Sequence, residues 1–258
     1  MATREFIARN WATESENRIH ADDVALQYGF RGGLVPGVTS FAYVAEAAAD
    51  AFGMDWLRHG RISLRLHRPV YDGEPVRAAV STKGEPTLLS LEEAGLESSV
   101  SGRVGRDPIV DLPAVGRGEI PATRPEASPT TLAGGTVLGT IQHRFSSVRQ
   151  QQYLDAIGIE ESRWMEQRVA HPGFLVRDSN DALAQNVLLG PWIHVGSDVS
   201  LLRTVEDGDL LEVRSAVRAE YERKGHRFVE LDVVTTADGD PAMHVHHTAI
   251  YAPRRSTA

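Results

Sequence analysis

PGVTSFAYVAEAAADAF, residues 36–52, has two charged side chains, Glu46 and Asp50, among residues that are otherwise small, aliphatic, aromatic or hydroxyl-bearing. From Val38 to Phe52 it predicts a helix that is apolar around nearly its whole circumference, and such a helix is buried on every side. Pro36-Gly37 suits its start, because proline's fixed φ fits a first turn and glycine lets backbone approach closely. A flat layer cannot bury such a helix, so a sheet has to curl around it.

Outward from the helix the period changes to two. In RISLRLHRPV (61–70), Ile62, Leu64 and Leu66 alternate with Arg61, Ser63, Arg65 and His67, which predicts a strand with one wet face. Arg58, Arg61, Arg65 and Arg68 read as part of that wet face. Tyr71-Asp72-Gly73 reads as a turn and Pro75–Ser81 as the next strand. Thr87–Leu91 and Ser98–Val104 read as two more, with Glu92, Glu93 and Gly95 interrupting. Arg106–Gly139, with Pro108, Pro113, Pro121, Pro125 and Pro129 and no periodicity, reads as an extended linker draped over a surface. Beyond it the order recurs. A helix at Val148–Ile157 leads to a second apolar helix, Phe174–Leu189. Strands follow at Ile193–Arg203, Leu210–Arg223, Arg227–Thr236 and Met243–Ala252, with turns at Asp207-Gly208, Lys224-Gly225 and Asp238-Gly239.

The recurrence keeps register. Pro36-Gly37 matches Pro172-Gly173 at an offset of 136, and His59, Leu66, Arg68, Val70, Asp72 and Gly73 match His194, Leu201, Arg203, Val205, Asp207 and Gly208 at 135. This predicts an internal duplication: an N-terminal domain over 1–105, a linker over 106–139 and a C-terminal domain over 140–258. The two halves can pair their sheets edge to edge, satisfying strands that would otherwise be open.

Composition excludes several functions. With 27 Lys+Arg against 35 Asp+Glu the net charge is −8, and no basic cluster offers a footprint for nucleic acid. No apolar run approaches the ~20 residues that span a bilayer, so no membrane partner is expected. MATREFIARNW lacks a signal-peptide pattern, which leads us to expect a cytoplasmic protein. The absence of cysteine removes disulfides, thiol nucleophiles and iron–sulfur clusters.

Chemistry concentrates in SENRIHADDVALQYGFRGGLVPGV, residues 15–38. Asn17 and His20 precede a short helical segment (Asp22–Tyr28), a Gly-rich bend and the buried helix. An imidazole exchanges protons near neutral pH, and free amides opening a helix stabilise charge developing on a carbonyl oxygen. Asp22 and Asp23 read as charges capping a first turn. His244, His246 and His247 share MHVHHT (243–248) but no neighbouring carboxylate completes a ligand set, so no metal or other cofactor is expected. Gly32–Gly37 is not a phosphate loop, since Val38 stands where lysine is required, and no G-x-S-x-G elbow occurs.

The run N-x-I-H-x-D-x-x-A, followed by Gly-Phe, a Gly-rich step and a helix, resembles the MaoC-like, (R)-specific enoyl-CoA hydratases of the hot-dog superfamily. The resemblance implies an α+β double hot-dog: two antiparallel sheets, each wrapped around a long central helix. The family motif D-x-N-P-x-H falls on Ser15, Glu16, Asn17, Arg18, Ile19 and His20, so Asn17 and His20 fit while Ser15 and Arg18 replace the aspartate and proline. It implies that His20 transfers protons and that Asn17 orients water or substrate. Ser15, Gly37, Val38 and His171 are the expected substrate contacts, the amides near Gly37 polarising a thioester carbonyl. Glu14 and Glu16 are the nearest alternative carboxylates. In the second half Ile159, Glu161, Ser162 and Trp164 occupy the motif positions, so at most one site per chain is expected. The implied activity is hydration or dehydration of an acyl thioester, with coenzyme A as the expected carrier and a homodimer or a different subunit as the expected assembly. Two alternatives stay open: a thioesterase or lyase/cyclase acting on a non-CoA substrate, and a non-catalytic acyl-binding or subunit-pairing protein.

Overall fold

A computed structural model describes residues 1–84, 86–93 and 97–255; Gly95 and the last three residues of the 140–258 half lie outside them. The first half runs β1 (Ala2–Ile7), α1 (Asp22–Ala25), α2 (Gly37–Phe52), β2 (Arg61–Leu66), β3 (Pro75–Ser81), β4 (Leu88–Glu93) and β5 (Val100–Gly105). The second runs β6 (Ile141–Arg144), α3 (Ser147–Ala156), α4 (Arg163–Gln167), α5 (Pro172–Ala184), β7 (Ile193–Leu201), β8 (Leu210–Arg223), β9 (His226–Ala237) and β10 (Asp240–Ala252).

Where two sheets were expected, the strands form one ten-stranded antiparallel sheet, ordered β1-β3-β4-β5-β2-β7-β10-β9-β8-β6. Read inward from its far edge, the second half repeats the first. The halves merge because β2 and β7 would each leave a row of unpaired amides and carbonyls, and hydrogen-bonding to each other satisfies both. Their register runs from Arg61↔Ser200 to Arg65↔Gly196. Its midpoint pairs Ser63 with Asp198, residues 135 apart, and the Ser63 hydroxyl donates to the Asp198 carboxylate. That separation is also the sequence offset, so the repeat meets itself on the approximate twofold axis between the halves.

The concave face of the sheet takes up both long helices. Val38 to Ala49 of α2 are all buried, the charged Glu46 included. α5 packs against α2 closely enough that a Cβ on Gly173 would lie 2.5 Å from that of Ala42.

Two strands escaped the periodicity reading. In β1 only Phe6 is buried, so this edge strand carries no alternating apolar signal; β6 is four residues long. Glu92 and Glu93 lie inside β4 instead of interrupting it. Glu92 pairs with Arg77 on β3 at 2.6 Å, and the buried Glu93 accepts from the Ser99 hydroxyl. Segment 106–139 contributes only isolated bridges, Glu126 to Leu188 and Val137 to Ala216, yet it sinks Leu132 and Leu138 into the core. It is embedded as well as extended. Among the described residues no helix is long and apolar enough to cross a membrane.

Candidate active site

After β1 the chain loops back under α2, held by Asn10, whose side chain donates to the His20 carbonyl at 2.8 Å. Asn17 caps the single turn Arg18–His20 by accepting from Ile19 N–H. It also reaches into the other half. Its Nδ2 donates to the Trp192 carbonyl at 2.9 Å, and its Oδ1 accepts from the Trp192 amide at 3.1 Å. This carboxamide is therefore spent on protein partners, and what it orients is His20, whose Nε2 takes its second N–H at 3.3 Å.

The His20 ring is fixed from both sides. Nδ1 lies 2.6 Å from the Leu34 carbonyl, which can only accept, so Nδ1 carries the proton and the Nε2 lone pair is what the Asn17 amide approaches at 3.3 Å. Leu34 comes this close because residue 33 is glycine: a Cβ there would sit 2.1 Å from the His20 carbonyl oxygen. Asp22 accepts from the Gly33 amide at 2.7 Å and pins the bend. Burial lowers the His20 pKa, against the raising pull of the Leu34 carbonyl, and this favours the neutral base.

His20 stands between two cavities, of about 320 Å³ and 280 Å³, whose walls share Asn17, His20, Pro36, Asn180 and Trp192. Ser15 and Val38 line the first and Gly37 the second. Gly37 and Val38 open α2, where the first amides have no carbonyl partner within the helix; Thr39 and Ser40 already donate to the Pro36 carbonyl. A side chain at 37 would meet His194, whose Nδ1 lies 2.7 Å from the position of a Cβ. His20 lines both cavities, and the two residues that open α2 line one each, so the imidazole and the helix opening border neighbouring spaces.

Other expected residues are placed elsewhere. The Ser15 hydroxyl donates to the Asn17 carbonyl at 3.2 Å. Glu16 lines the first cavity but is held by both Nη atoms of Arg124, at 2.7 and 3.0 Å, and Glu14 is exposed. His171 is fully buried and lines neither cavity; its Nδ1 accepts from the Gly173 amide at 2.9 Å and its Nε2 faces Glu46 at 3.2 Å. The opening of α5 is therefore stoppered by its own imidazole. The other second-half motif positions are braces too: Trp164 donates to Glu46, and Glu161 pairs with Arg4 at 2.5 Å. His244 and His246 bond Asp232 and Glu230 at 3.2 and 3.1 Å. Among the described residues no group of three or more His, Asp or Glu is arranged to hold a metal.

The cavity walls also carry residues that pattern reading missed. Arg177, Asn180, Asp181 and Gln185 line the first cavity from α5 and the residue after it. Their helical spacing, a polar stripe on a helix otherwise buried, was the available signal. The Asn180 Oδ1 is buried without a partner.

Under the second cavity, His194 and His247 stack with ring centroids 4.4 Å apart, and burial pushes His194 down to about 4. Burial also lowers His247. The unfolded chain binds a proton on His194 below about pH 6.5 that the folded chain refuses until about 4, so stability falls as pH drops through that window. At about 1.4 kcal/mol per pKa unit this amounts to on the order of 3 kcal/mol for His194. Urea midpoints should fall between pH 7.5 and 5, and His194→Asn should flatten the fall; equal wild-type midpoints at the two pH values would contradict this account.

No family model matches the chain, and no curated protein matches it by sequence. Solved structures do. A MaoC domain protein dehydratase from Chloroflexus aurantiacus J-10-fl superposes with a TM-score of 0.61 at 12% identity, covering 99% of this chain and 96% of that one. A conserved protein from Mycobacterium tuberculosis described as having a double hotdog fold gives 0.60 at 14% identity, over 96% and 93%. A structure from Lactobacillus plantarum named as an oleoyl thioesterase gives 0.54 at 13% identity, over 98% and 97%. These likenesses span nearly the whole chain and show that it has the double hot-dog fold.

Proposed function

We propose that this double hot-dog chain is a MaoC-like acyl-thioester hydratase or dehydratase, with coenzyme A as the expected carrier. The observation that carries the reading is the His20 ring: its proton is held on Nδ1 by the Leu34 carbonyl, and the residue lines two neighbouring cavities beside the opening of α2. A thioester carbonyl accepting from the Gly37 and Val38 amides would have its developing negative charge stabilised by the helix opening. That acidifies the α-carbon, and the His20 Nε2 lone pair, released from its 3.3 Å contact with Asn17, is the base that takes its proton in elimination and returns it in hydration. Asn17 holds the ring in this tautomer's geometry. The two cavities supply room on either side of the reacting carbons, one for the acyl chain and one for the carrier.

A panel of 2-enoyl-CoA thioesters of increasing length, followed by loss of the conjugated-enone absorbance, tests the reading; no consumption of any member sinks it. Thioester hydrolysis is the second reading, favoured by the Ser15 hydroxyl on the wall of the first cavity. Release of free thiol without loss of the double bond selects it. Ligand-dependent melting shifts without either reaction select a binding role.

A further inference from the structure

We propose that Arg177, held in an aromatic box on the wall of the first cavity, is a specificity residue for an acyl group that ends in a carboxylate. The inference rests on the hydratase reading above and deepens it by naming the substrate class. The substrates are thioesters of dicarboxylic acids, with the second carboxylate at the end remote from the thioester.

The box draws on three segments. The guanidinium carbon of Arg177 lies 5.0 Å from the ring centroid of Trp11, 4.5 Å from that of Tyr153 and 5.1 Å from that of Phe174. Trp11, from the loop after β1, is set by its indole N–H, which donates to the Thr39 hydroxyl in the first turn of α2 at 3.1 Å. It also meets Tyr153 of α3 edge-on at 5.5 Å. Phe174 precedes Arg177 by one turn of α5, where side chains are neighbours. Aromatic faces hold a cation in place without neutralising it or using its N–H groups. Among the described residues no acceptor takes a hydrogen bond from Arg177 and no carboxylate stands within ion-pair distance of it. Asp181, one turn on, meets its charge through space, with no hydrogen bond between them. Arg124 on the same cavity wall is the contrast, since Glu16 and the Ala184 carbonyl take its donors.

A guanidinium with free donors on a cavity wall selects what enters. A hydrocarbon chain filling the first cavity would strip water from Arg177 and give back no acceptor. Asn180, one turn beyond Arg177 on α5, lines the same cavity; its Oδ1 is buried without a partner. Its carboxamide makes no hydrogen bond among the described residues, so it is free to turn an N–H toward a ligand. A carboxylate accepts a forked pair of N–H groups from a guanidinium, and the Asn180 amide is a further donor on that face. The carrier has a different mouth. The second cavity has His67, Arg68 and His226 on its wall and no carboxylate in its described lining, which suits phosphates. That leaves the first cavity to the acyl group.

The test uses the full chain and two sets of thioesters of equal length: crotonyl-, pent-2-enoyl- and hex-2-enoyl-CoA, and the same chains ending in a carboxylate. Wild type should favour the carboxylate-ended set in kcat/KM by about 10- to 100-fold, the range of one hydrogen bond to a charged group. The advantage should lie in KM, because the contact is made equally in ground and transition states. Arg177→Met should abolish the ratio and Arg177→Lys should keep part of it. A ratio within one protein does not depend on how much of it is folded, so lost packing in the box cannot mimic the result. N-acetylcysteamine thioesters, which lack the carrier's phosphates, should show the same ratio. A wild-type preference for the methyl-ended set, an equal change of both sets in Arg177→Met, or an effect confined to the CoA thioesters overturns the assignment while the His20 reading stands. Absence of turnover on both sets overturns the hydratase reading. Succinate, glutarate and adipate should then still raise the melting temperature of wild type and not of Arg177→Met, and no shift with any of them overturns the subsite as well.

Discussion

Replacing His20 with alanine should lower kcat/KM on an enoyl thioester by about 10³-fold, within the range a positioned general base contributes. The loss should fall on kcat, because the ring's lone pair acts on a proton that moves only in the transition state. The pH profile is the more discriminating readout. Burial lowers the His20 pKa, so the neutral base persists below the ordinary imidazole range and is lost only on further acidification. The acid limb of wild-type kcat/KM should therefore lie below the ordinary imidazole pKa. Leu34→Pro and Asn17→Ala would disturb the backbone as well, whereas His20→Gln is close in size and removes the base. Equal rates for wild type and His20→Ala would reject the mechanism while leaving the fold untouched.

Glu46→Ala should destabilise the protein by about 3–5 kcal/mol, the usual loss when one member of a buried charge cluster is removed. Glu46 is completely buried in α2, and its nearest partners lie in the other half, the Arg163 guanidinium, the Trp164 indole N–H and His171 Nε2, with Arg4 of β1 farther off at 3.9 Å. Since His171 Nδ1 accepts from Gly173, Nε2 holds the ring proton and needs an acceptor. Burial pushes the Glu46 carboxyl up, but these donors outweigh it and hold it below the ordinary range. Truncation would strand an indole N–H, an imidazole N–H and part of a cation in the space between the helices. Glu46→Gln should cost less, because its amide oxygen can still accept from Trp164. Urea denaturation of the three proteins measures the order; a Glu46→Ala midpoint equal to wild type would mean the cluster does not bind the halves together.

Both predictions rest on residues whose importance was unequally visible. His20 stood out because an imidazole three residues after an asparagine, ahead of a buried helix, is a compact local pattern. Glu46 read as one charge on an apolar helix. Its nearest partners lie more than a hundred positions away, and nothing within a helical turn reports them. Asp181 was concealed differently: it sits in a helix read for burial, and it lines a cavity whose opposite wall belongs to the other half. His171 shows the converse. The repeat made it the counterpart of Val35, the residue before Pro36, yet Gly173 and Glu46 face its two nitrogens, and it lines neither cavity.

The sequence by itself determined the two apolar helices, most of the strands, the duplication and its offset, and the imidazole on the first loop. These follow from periodicity and turn chemistry, which act over a few residues. Only the tertiary structure decided that the sheets are one, that Asn17 spends its amide on Trp192, that one helix opening lines two cavities while the other is stoppered, and that second-half residues wall the first-half site. Periodicity records which face of an element is buried. It carries no address for the surface that buries it, and every one of these outcomes depends on that address.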